Sequence, residues 1–364
     1  MNTLQREYGP PQASRSSSLC DRGAQMTEPA KAAVPEPVTR AGAPWSVGRP
    51  LLRRAGYVAV IVWSVYTLSF FLLYALPGNP IAIMLERRSA GAGASNPEAL
   101  HLLSEKYGYD QPILVRYATT LGQFLRGDLG VSFQSGKPVA DVLAAVASNT
   151  ITLAIAALVL AVPGSMVLAL VTSWRPDGVV HRVLVNAPAV IASVPAFWLG
   201  LLFLQVFSFQ LHWFPSSGGK SAAGLVLPAV ALAVPVSASL TAVLVRALDE
   251  AGRAGWVELL RSRGLPWRRI YLGHIARNAM LPFVTVAGLT VAGVLVGTVI
   301  TETVFARSGL GRLLVSSIET QDPPVVLAIA TLAAVVFAVV NFAVDVLYPV
   351  LDPRLRHRTA GGSR

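Results

Sequence analysis

Six long apolar segments alternate with polar stretches along this chain of 364 residues. A helix needs about 20 apolar residues, each adding about 1.5 Å of length, to cross a bilayer, and every one of these segments is long enough. The strict apolar–polar alternation of spanning strands does not occur. The pattern therefore predicts an all-α polytopic membrane protein with six transmembrane helices. These helices are predicted at 57–76, 150–173, 184–209, 225–245, 279–300 and 325–348.

The apolar segments also divide the chain into membrane and non-membrane parts. Residues 1–50 are rich in Pro, Ser and Gly and show no helical or strand period, which is typical of disorder. Met26 opens a second plausible start, so we expect residues 1–25 to be dispensable or not made, which N-terminal sequencing of the native protein checks. The predicted parts are a disordered cytoplasmic tail (1–50), the first transmembrane helix (51–77), an extracytoplasmic helical segment (78–148), a transmembrane core (149–349) and a cytoplasmic tail (350–364).

The extracytoplasmic segment carries two helical patterns that are too polar to cross a membrane. The first begins near Pro97 and stops before Gly108, and the second follows Pro112. Arg126-Gly127-Asp128 resembles an adhesion motif, but its place after an apolar helical pattern favours a solvated turn. We expect both helices to lie on the outer membrane face or to form a small helical cap.

The charged residues fix the expected orientation of the spans. The chain is 13% charged and 53% hydrophobic and has a net charge of +11, and this composition excludes an ordinary soluble enzyme. With a cytoplasmic N-terminus, the inner segments hold 21 of the 30 Lys and Arg residues and the outer segments hold nine. Acidic residues divide almost evenly, so the whole excess lies inside, as the positive-inside rule requires. We expect a multi-pass protein of the inner (cytoplasmic) membrane with both termini in the cytoplasm, and no nucleic-acid partner.

Motifs for catalysis and metal binding are missing from the sequence. No phosphate-binding loop, zinc-protease helix or nucleophile elbow occurs. Cys20 is the single cysteine, which excludes an intrachain disulfide framework and a cysteine-based metal site. The histidines are dispersed, at His101, His181, His212, His274 and His357. We expect a non-catalytic chain without a cofactor or metal of its own.

The most informative segment is the inner loop 246–278, which carries seven arginines. Trp256, Leu259, Leu260 and Arg263 fall on one predicted helical stripe, and Gly264 is suited to end that helix. One interpretation is a basic amphipathic helix lying on anionic lipid. The other is a short helix that protrudes toward a cytoplasmic partner, which the glycine favours because a lipid-lying helix has no need of one.

The same loop resembles a known family. Glu258, followed six residues later by Gly264, matches the E-A-A-x-x-x-G loop of ABC-importer permeases, and the resemblance is to the dipeptide/oligopeptide/nickel branch. Further motifs in matching order run over about residues 50–356. They are Leu76-Pro77-Gly78-Asn79-Pro80, Tyr107-Gly108-Tyr109-Asp110-Gln111-Pro112, Arg126-Gly127-Asp128-Leu129-Gly130, Arg261-Ser262-Arg263-Gly264-Leu265, His274 to Pro282, Thr301 to Phe305 with Gly309-Leu310-Gly311, and Leu351-Asp352-Pro353-Arg354.

The resemblance implies a type I importer permease with a MetI-like core that serves ATP-driven, binding-protein-dependent import of di- and oligopeptides. It implies a second homologous permease subunit, two cytoplasmic ATPase subunits that bind ATP and Mg, an extracytoplasmic substrate-binding protein and surrounding membrane lipid. Leu259 and Leu260 replace the two alanines of the family loop, so the docking groove should differ as well. The residues implied for ATPase coupling are Trp256, Glu258, Leu259, Leu260, Arg261, Arg263, Gly264 and Leu265.

Polar residues within the spans are candidates for the pathway or a gate. Buried polar groups in a membrane are costly without partners, so they either line a wet pathway or tie helices together. Glu302 and Thr303 stand at the outer end of the fifth span, where part of an outer gate is one interpretation. The candidates inside the spans are Asn186, Gln205, Asn341 and, near an end, Asp345.

Alternatives to a peptide permease stay open at this stage. The same family moves nickel, metal chelates or opines, and the sequence does not name the cargo. From a different class, a non-transport membrane assembly or signalling protein would use the basic loop to bind lipid or a regulator. A secondary transporter should show inverted repeats and ionisable residues within its spans, and neither is evident.

Overall fold

The computed structural model of the chain describes residues 48–75, 81–82, 85, 97–174, 179–217 and 221–351. These residues belong to one unit, Gly48–Arg364. Almost all of the predicted tails, including Cys20 and Met26, lie outside the described residues, as does the side chain of Asp345.

The described residues are helical throughout, with connecting turns and an isolated β-bridge between Val131 and Pro138. The prediction of an all-α fold is confirmed. In chain order the helices are α1 (Gly48–Ala75), α2 (Pro97–Lys106), α3 (Ile113–Leu125), α4 (Val139–Trp174), α5 (Val179–Ala192), α6 (Ala196–Phe203, continued by a π-helical stretch, Leu204–Gln210), α7 (Ala222–Gly252), α8 (Gly255–Ser262), α9 (Trp267–Val304), α10 (Leu310–Glu319) and α11 (Pro323–Leu351).

Five of these helices are long and apolar enough to cross a membrane, and there are six spans if a bent pair of helices crosses as one. The five are α1, α4, α7, α9 and α11, in agreement with the predicted positions. The third predicted span, 184–209, is wrong as a continuous helix, because His181–Ile191 and Ala196–Gln210 meet at 106°. Pro195 causes the break: it lacks an amide hydrogen, disfavours helix at the residue before it, and adopts an extended ψ of 134°.

Small residues bring the central helices close together. Leu153, Ala157 and Ala161 of α4 pack against Ala229 and Leu232 of α7. A Cβ at Gly297 of α9 would lie 2.6 Å from a methyl carbon of Leu232, so a larger residue there would force the Leu232 side chain to shift. Small side chains are the usual means by which helices pack in a membrane, where water no longer drives them together.

Of the two short helices before α4, α3 packs on α1 and α11, whereas α2 packs on Ile81 and Phe133. Pro112 precedes α3, and Arg126 closes it in a turn whose next residue, Gly127, has a φ of +84°, as predicted. Tyr117 and Phe124 of α3 pack near Phe70 of α1. Tyr117, Leu121 and Phe124 thus face the spans, whereas Leu114 and Leu125 of the same helix are exposed.

A buried carboxylate joins this segment to α11. Asp322, two per cent exposed, accepts hydrogen bonds from Ser132 Oγ at 2.6 Å, from the Phe133 amide at 3.1 Å and from the Gln134 amide at 3.2 Å. Neither helix α10 nor this anchor was predicted, and no local pattern links the anchor's positions, which lie 190 residues apart.

Candidate coupling site

Helix α8 begins and ends at backbone features that the sequence specifies locally. Ala254 is extended at its start, with a ψ of 138°. At its end, the Gly264 amide donates to Arg261 O at 2.9 Å and the Leu265 amide donates to Leu260 O at 3.3 Å. This pair of hydrogen bonds is a Schellman cap, and Gly264 has the φ of +78° that the cap needs. The predicted helix end at Gly264 is therefore present.

One face of α8 packs onto the spans. Val257 is only 4% exposed and joins a buried cluster with Leu244 and Leu248 of α7 and Ile270 of α9. The half-buried side chains of Trp256, Leu260 and Leu265 pack against the same cluster. The apolar side of α8 is thus covered by the chain itself.

The opposite face of α8 is exposed, charged and carries one large apolar residue. Leu259 is 53% exposed, which corrects the predicted stripe: Val257, and not Leu259, completes the packed face. Glu258, Arg261 and Arg263 are exposed around it. The Arg261 guanidinium lies 4.4 Å from the centroid of the Trp267 ring, a cation–π contact that orients it. A partner approaching α8 meets a leucine surrounded by charge.

Helix α9 connects this site to the spans. It starts after Pro266 as predicted, and its second stretch, Ile270–Ile275, is π-helical with both end residues buried. Tyr271 Oη donates to Leu170 O of α4 at 3.0 Å, and its ring meets Trp174 edge-on at 5.1 Å. Sequence reasoning missed this tie, because no local pattern links positions 101 residues apart.

The amide side chains predicted for the pathway are not brought together. Asn186 donates to Arg182 O at 2.8 Å and Asn341 donates to Phe337 O at 2.9 Å, so each bonds its own helix. Gln205 is exposed on the π-helical stretch that continues α6. Thr303 is exposed as well and donates to Val299 O at 2.8 Å.

Glu302, by contrast, is fully buried and holds the start of α10. Its Oε2 accepts hydrogen bonds from the Gly311 amide at 2.8 Å and the Arg312 amide at 3.3 Å. A Cβ at Gly309 would overlap the Glu302 carboxylate, so this position requires glycine. Beside it, the Leu310 amide donates to Thr150 Oγ1 of α4 at 2.8 Å. We call Glu302, Thr150 and the amides of 310–312 the outer clamp.

Comparison with known proteins points to the same family as the sequence motifs. Residues 161–357, which include α7, α8 and α9, match the family described as binding-protein-dependent transport system inner membrane component. The oligopeptide transport system permease protein AppB of Bacillus subtilis strain 168 is 30% identical over 318 residues, which cover 84% of this chain and 99% of that protein. The chain belongs to this family of importer permeases.

A second relative of the permease is the glutathione transport system permease protein GsiC of Escherichia coli O6:H1. It is 34% identical over 301 residues, covering 82% of this chain and 95% of that protein. The predicted resemblance is confirmed, and the permease is a multi-pass inner-membrane protein of an ABC importer. Importers of this family work with an ATPase and a substrate-binding protein.

Proposed function

We propose that this permease is half of the translocation pathway of an ATP-driven importer of di- and oligopeptides. It pairs with a second homologous permease, and two cytoplasmic ATPase subunits bind ATP and Mg and perform the hydrolysis. A substrate-binding protein delivers cargo to the opposite face. The chain itself is non-catalytic and moves between inward- and outward-open states.

The two faces of α8 carry this proposal. The buried face, centred on Val257, fastens the helix to α7 and α9, and the exposed face presents Leu259 among charged side chains. A helix lying on lipid would turn a continuous apolar face outward, but here that face is covered by the chain itself. The arrangement supports a docking helix for the ATPase.

The cargo class is supported by the two relatives. One is named for oligopeptide transport and the other for transport of glutathione, itself a peptide. Neither name points to nickel, a metal chelate or an opine. A peptide cargo is therefore favoured over those alternatives.

The proposal is tested with two variants of α8 in the importer reconstituted with its ATPases and binding protein. Leu259→Glu places a charge on the exposed face and touches no buried contact, so uptake of a labelled tripeptide and retention of the ATPases should fall at least tenfold. Gly264→Trp should do the same, because a bulky residue is strained at a φ of +78°.

Gly255→Ala is the matched control. Gly255 lies at the other end of α8 with open space around it and no left-handed φ, so uptake should stay normal. Normal ATPase retention and uptake in both Leu259→Glu and Gly264→Trp would refute the docking role of α8. Absence of ATP-driven peptide uptake by the unaltered importer would refute the peptide cargo.

A further inference from the structure

Helix α3 carries two apolar faces, and the described part of the chain covers only one of them. Tyr117 and Phe124 pack against α1. Leu114 and Leu125, which are 67% and 76% exposed, lie beside that packed face around the helix. Ala118 is also exposed and continues this second face. The two faces together occupy about half of the helix circumference.

The polar residues of α3 share the remaining side of the helix. They are Arg116, Thr119, Thr120 and Gln123, and they fall on one arc that is turned away from the exposed apolar face. All four line a cleft of about 480 Å³ that opens to the surface. A helix with one wide apolar side and one polar side is typical of segments that lie within a membrane surface.

The contacts of Tyr117 define the depth at which α3 stands beside α1. Its hydroxyl accepts a hydrogen bond from Trp63 Nε1 at 3.0 Å and lies 2.8 Å from Thr67 Oγ1. Thr67 is seven residues from the Tyr74 end of the span Arg54–Tyr74, or about 10 Å along the helix. Because the hydrocarbon core is about 30 Å thick, this contact lies within it, in the outer half for the orientation predicted above.

The surroundings of Tyr117 are those expected at this depth. The hydrocarbon core offers no water, so a phenol there needs partners within the protein, and α1 supplies two. The Tyr117 ring also stacks on Phe71 at 5.6 Å and meets Phe70 edge-on at 5.3 Å. Beside these residues α1 exposes Leu68 and Leu72, at 71% and 65%. Helix α3 thus adjoins the apolar surface of a membrane-spanning helix.

Lipid is the occupant that both the depth and the composition of the uncovered face favour. At the level of Thr67 a bilayer surrounds α1, so water does not cover a neighbouring apolar face there. Leu114, Ala118 and Leu125 offer no hydrogen bond and no charge. Interfaces between proteins are enriched in Tyr, Trp and Arg at their centres, whereas a purely aliphatic face at membrane depth matches acyl chains.

We propose that α3 is immersed in the outer leaflet of the membrane, with Leu114, Ala118 and Leu125 in contact with lipid acyl chains. The opposite side of the helix, with Thr119 and Gln123, then faces the headgroups and water. Helix α3 thereby sets the height of the extracytoplasmic segment relative to the bilayer. This inference goes beyond the proposed function, because it depends neither on the cargo nor on the ATPases.

Spin labels on single cysteines test the immersion in the complete importer in lipid nanodiscs. In a Cys20→Ser background, labels on Leu114→Cys and Leu125→Cys should collide about threefold more often with oxygen, which concentrates among acyl chains, than with a water-soluble nickel chelate. Thr119→Cys is the matched control, since Thr119 is exposed on the polar side of the same helix and its label should prefer the nickel chelate.

A fluorescence measurement separates lipid from a protein that covers the same face. Phospholipids that carry a nitroxide on the acyl chain should quench a fluorophore attached at position 114 or 125 and leave one at position 119 bright. Nickel access at 114 and 125 equal to that at 119 would place this face in water. Low access to both reagents with unquenched fluorescence would place it against protein, such as a second permease subunit. Either result overturns the proposal.

Discussion

Glu302 shows how far a residue's surroundings can depart from what its position suggests. At the outer end of a span, a carboxylate is a natural candidate for a gate, and the sequence supports no more than that. The structure encloses it completely and gives its Oε2 two backbone amides at the start of α10. An anion at a helix N-terminus is favourable because unpaired amides and the helix dipole both face it.

Replacing this carboxylate should therefore act on stability first. Glu302→Ala leaves the buried Gly311 amide and the partly buried Arg312 amide without an acceptor, which should cost about 2 kcal/mol. Glu302→Gln keeps one acceptor oxygen and should cost less. Thermal unfolding of the purified permease in detergent measures both, with Thr303→Val as the control because Thr303 is exposed. A melting temperature of Glu302→Ala equal to that of the unaltered protein would contradict the outer clamp.

At the scale of helices, the hydrophobic pattern predicted where the spanning helices lie in the sequence better than it predicted their bends and irregular turns. Long apolar runs are found by composition, because a span must bury its backbone hydrogen bonds and expose apolar side chains to lipid. The bend at Pro195 and the start of α9 at Trp267 depend on single prolines within apolar or basic sequence. The π-helical Ile270–Ile275 has no signal in the sequence, since its extra residue per turn is stabilised by contacts with other helices.

The hydrogen bond from Tyr271 of α9 to Leu170 of α4 is another feature that has no signal in the sequence. Tyr271→Phe removes the hydrogen bond to Leu170 O but keeps the ring packed against Trp174. We expect a loss of about 1 kcal/mol in stability and a lower yield of peptide transported per ATP hydrolysed. Parallel assays of uptake and hydrolysis in proteoliposomes measure that ratio.

Ser262→Ala is the control for this variant, because it removes a hydroxyl bond of 2.9 Å that stays within α8. An unchanged ratio of uptake to hydrolysis in Tyr271→Phe would show that α9 and α4 are not coupled through this side chain.

For the whole molecule, the distribution of Lys and Arg predicted an orientation in the membrane. The order of the helices provides positions at which that orientation can be tested. If the bent pair counts as one span, three spans separate the 126–138 turn from α8, so the two should lie on opposite sides of the membrane. The loop 246–278 around α8, with seven arginines against three acidic residues, then contributes part of the excess of inner charge. Contacts between distant segments could not be predicted from the sequence, because they depend on how the helices pack. Examples are Asp322 with Ser132 and Arg116 with Tyr74.

Single cysteines in a Cys20→Ser background test the orientation. Ser262→Cys in α8 should react with a membrane-impermeant maleimide only after the cells are opened. Lys137→Cys in the turn before α4 should react in intact cells, because Lys137 is exposed on the other side. Reaction of both cysteines in intact cells, or of neither, would contradict the predicted arrangement.

The length of α9 has a mechanical consequence. Its 38 residues extend to about 57 Å, whereas the hydrocarbon core of a bilayer is about 30 Å thick. Nearly half of the helix therefore extends beyond the hydrocarbon, and we expect a tilt of the whole helix to move its two ends in opposite directions. A tilt of about 5° displaces one end relative to the other by about 5 Å at this length. We therefore expect a small displacement of the cytoplasmic end to be accompanied by a displacement of opposite direction at the other surface.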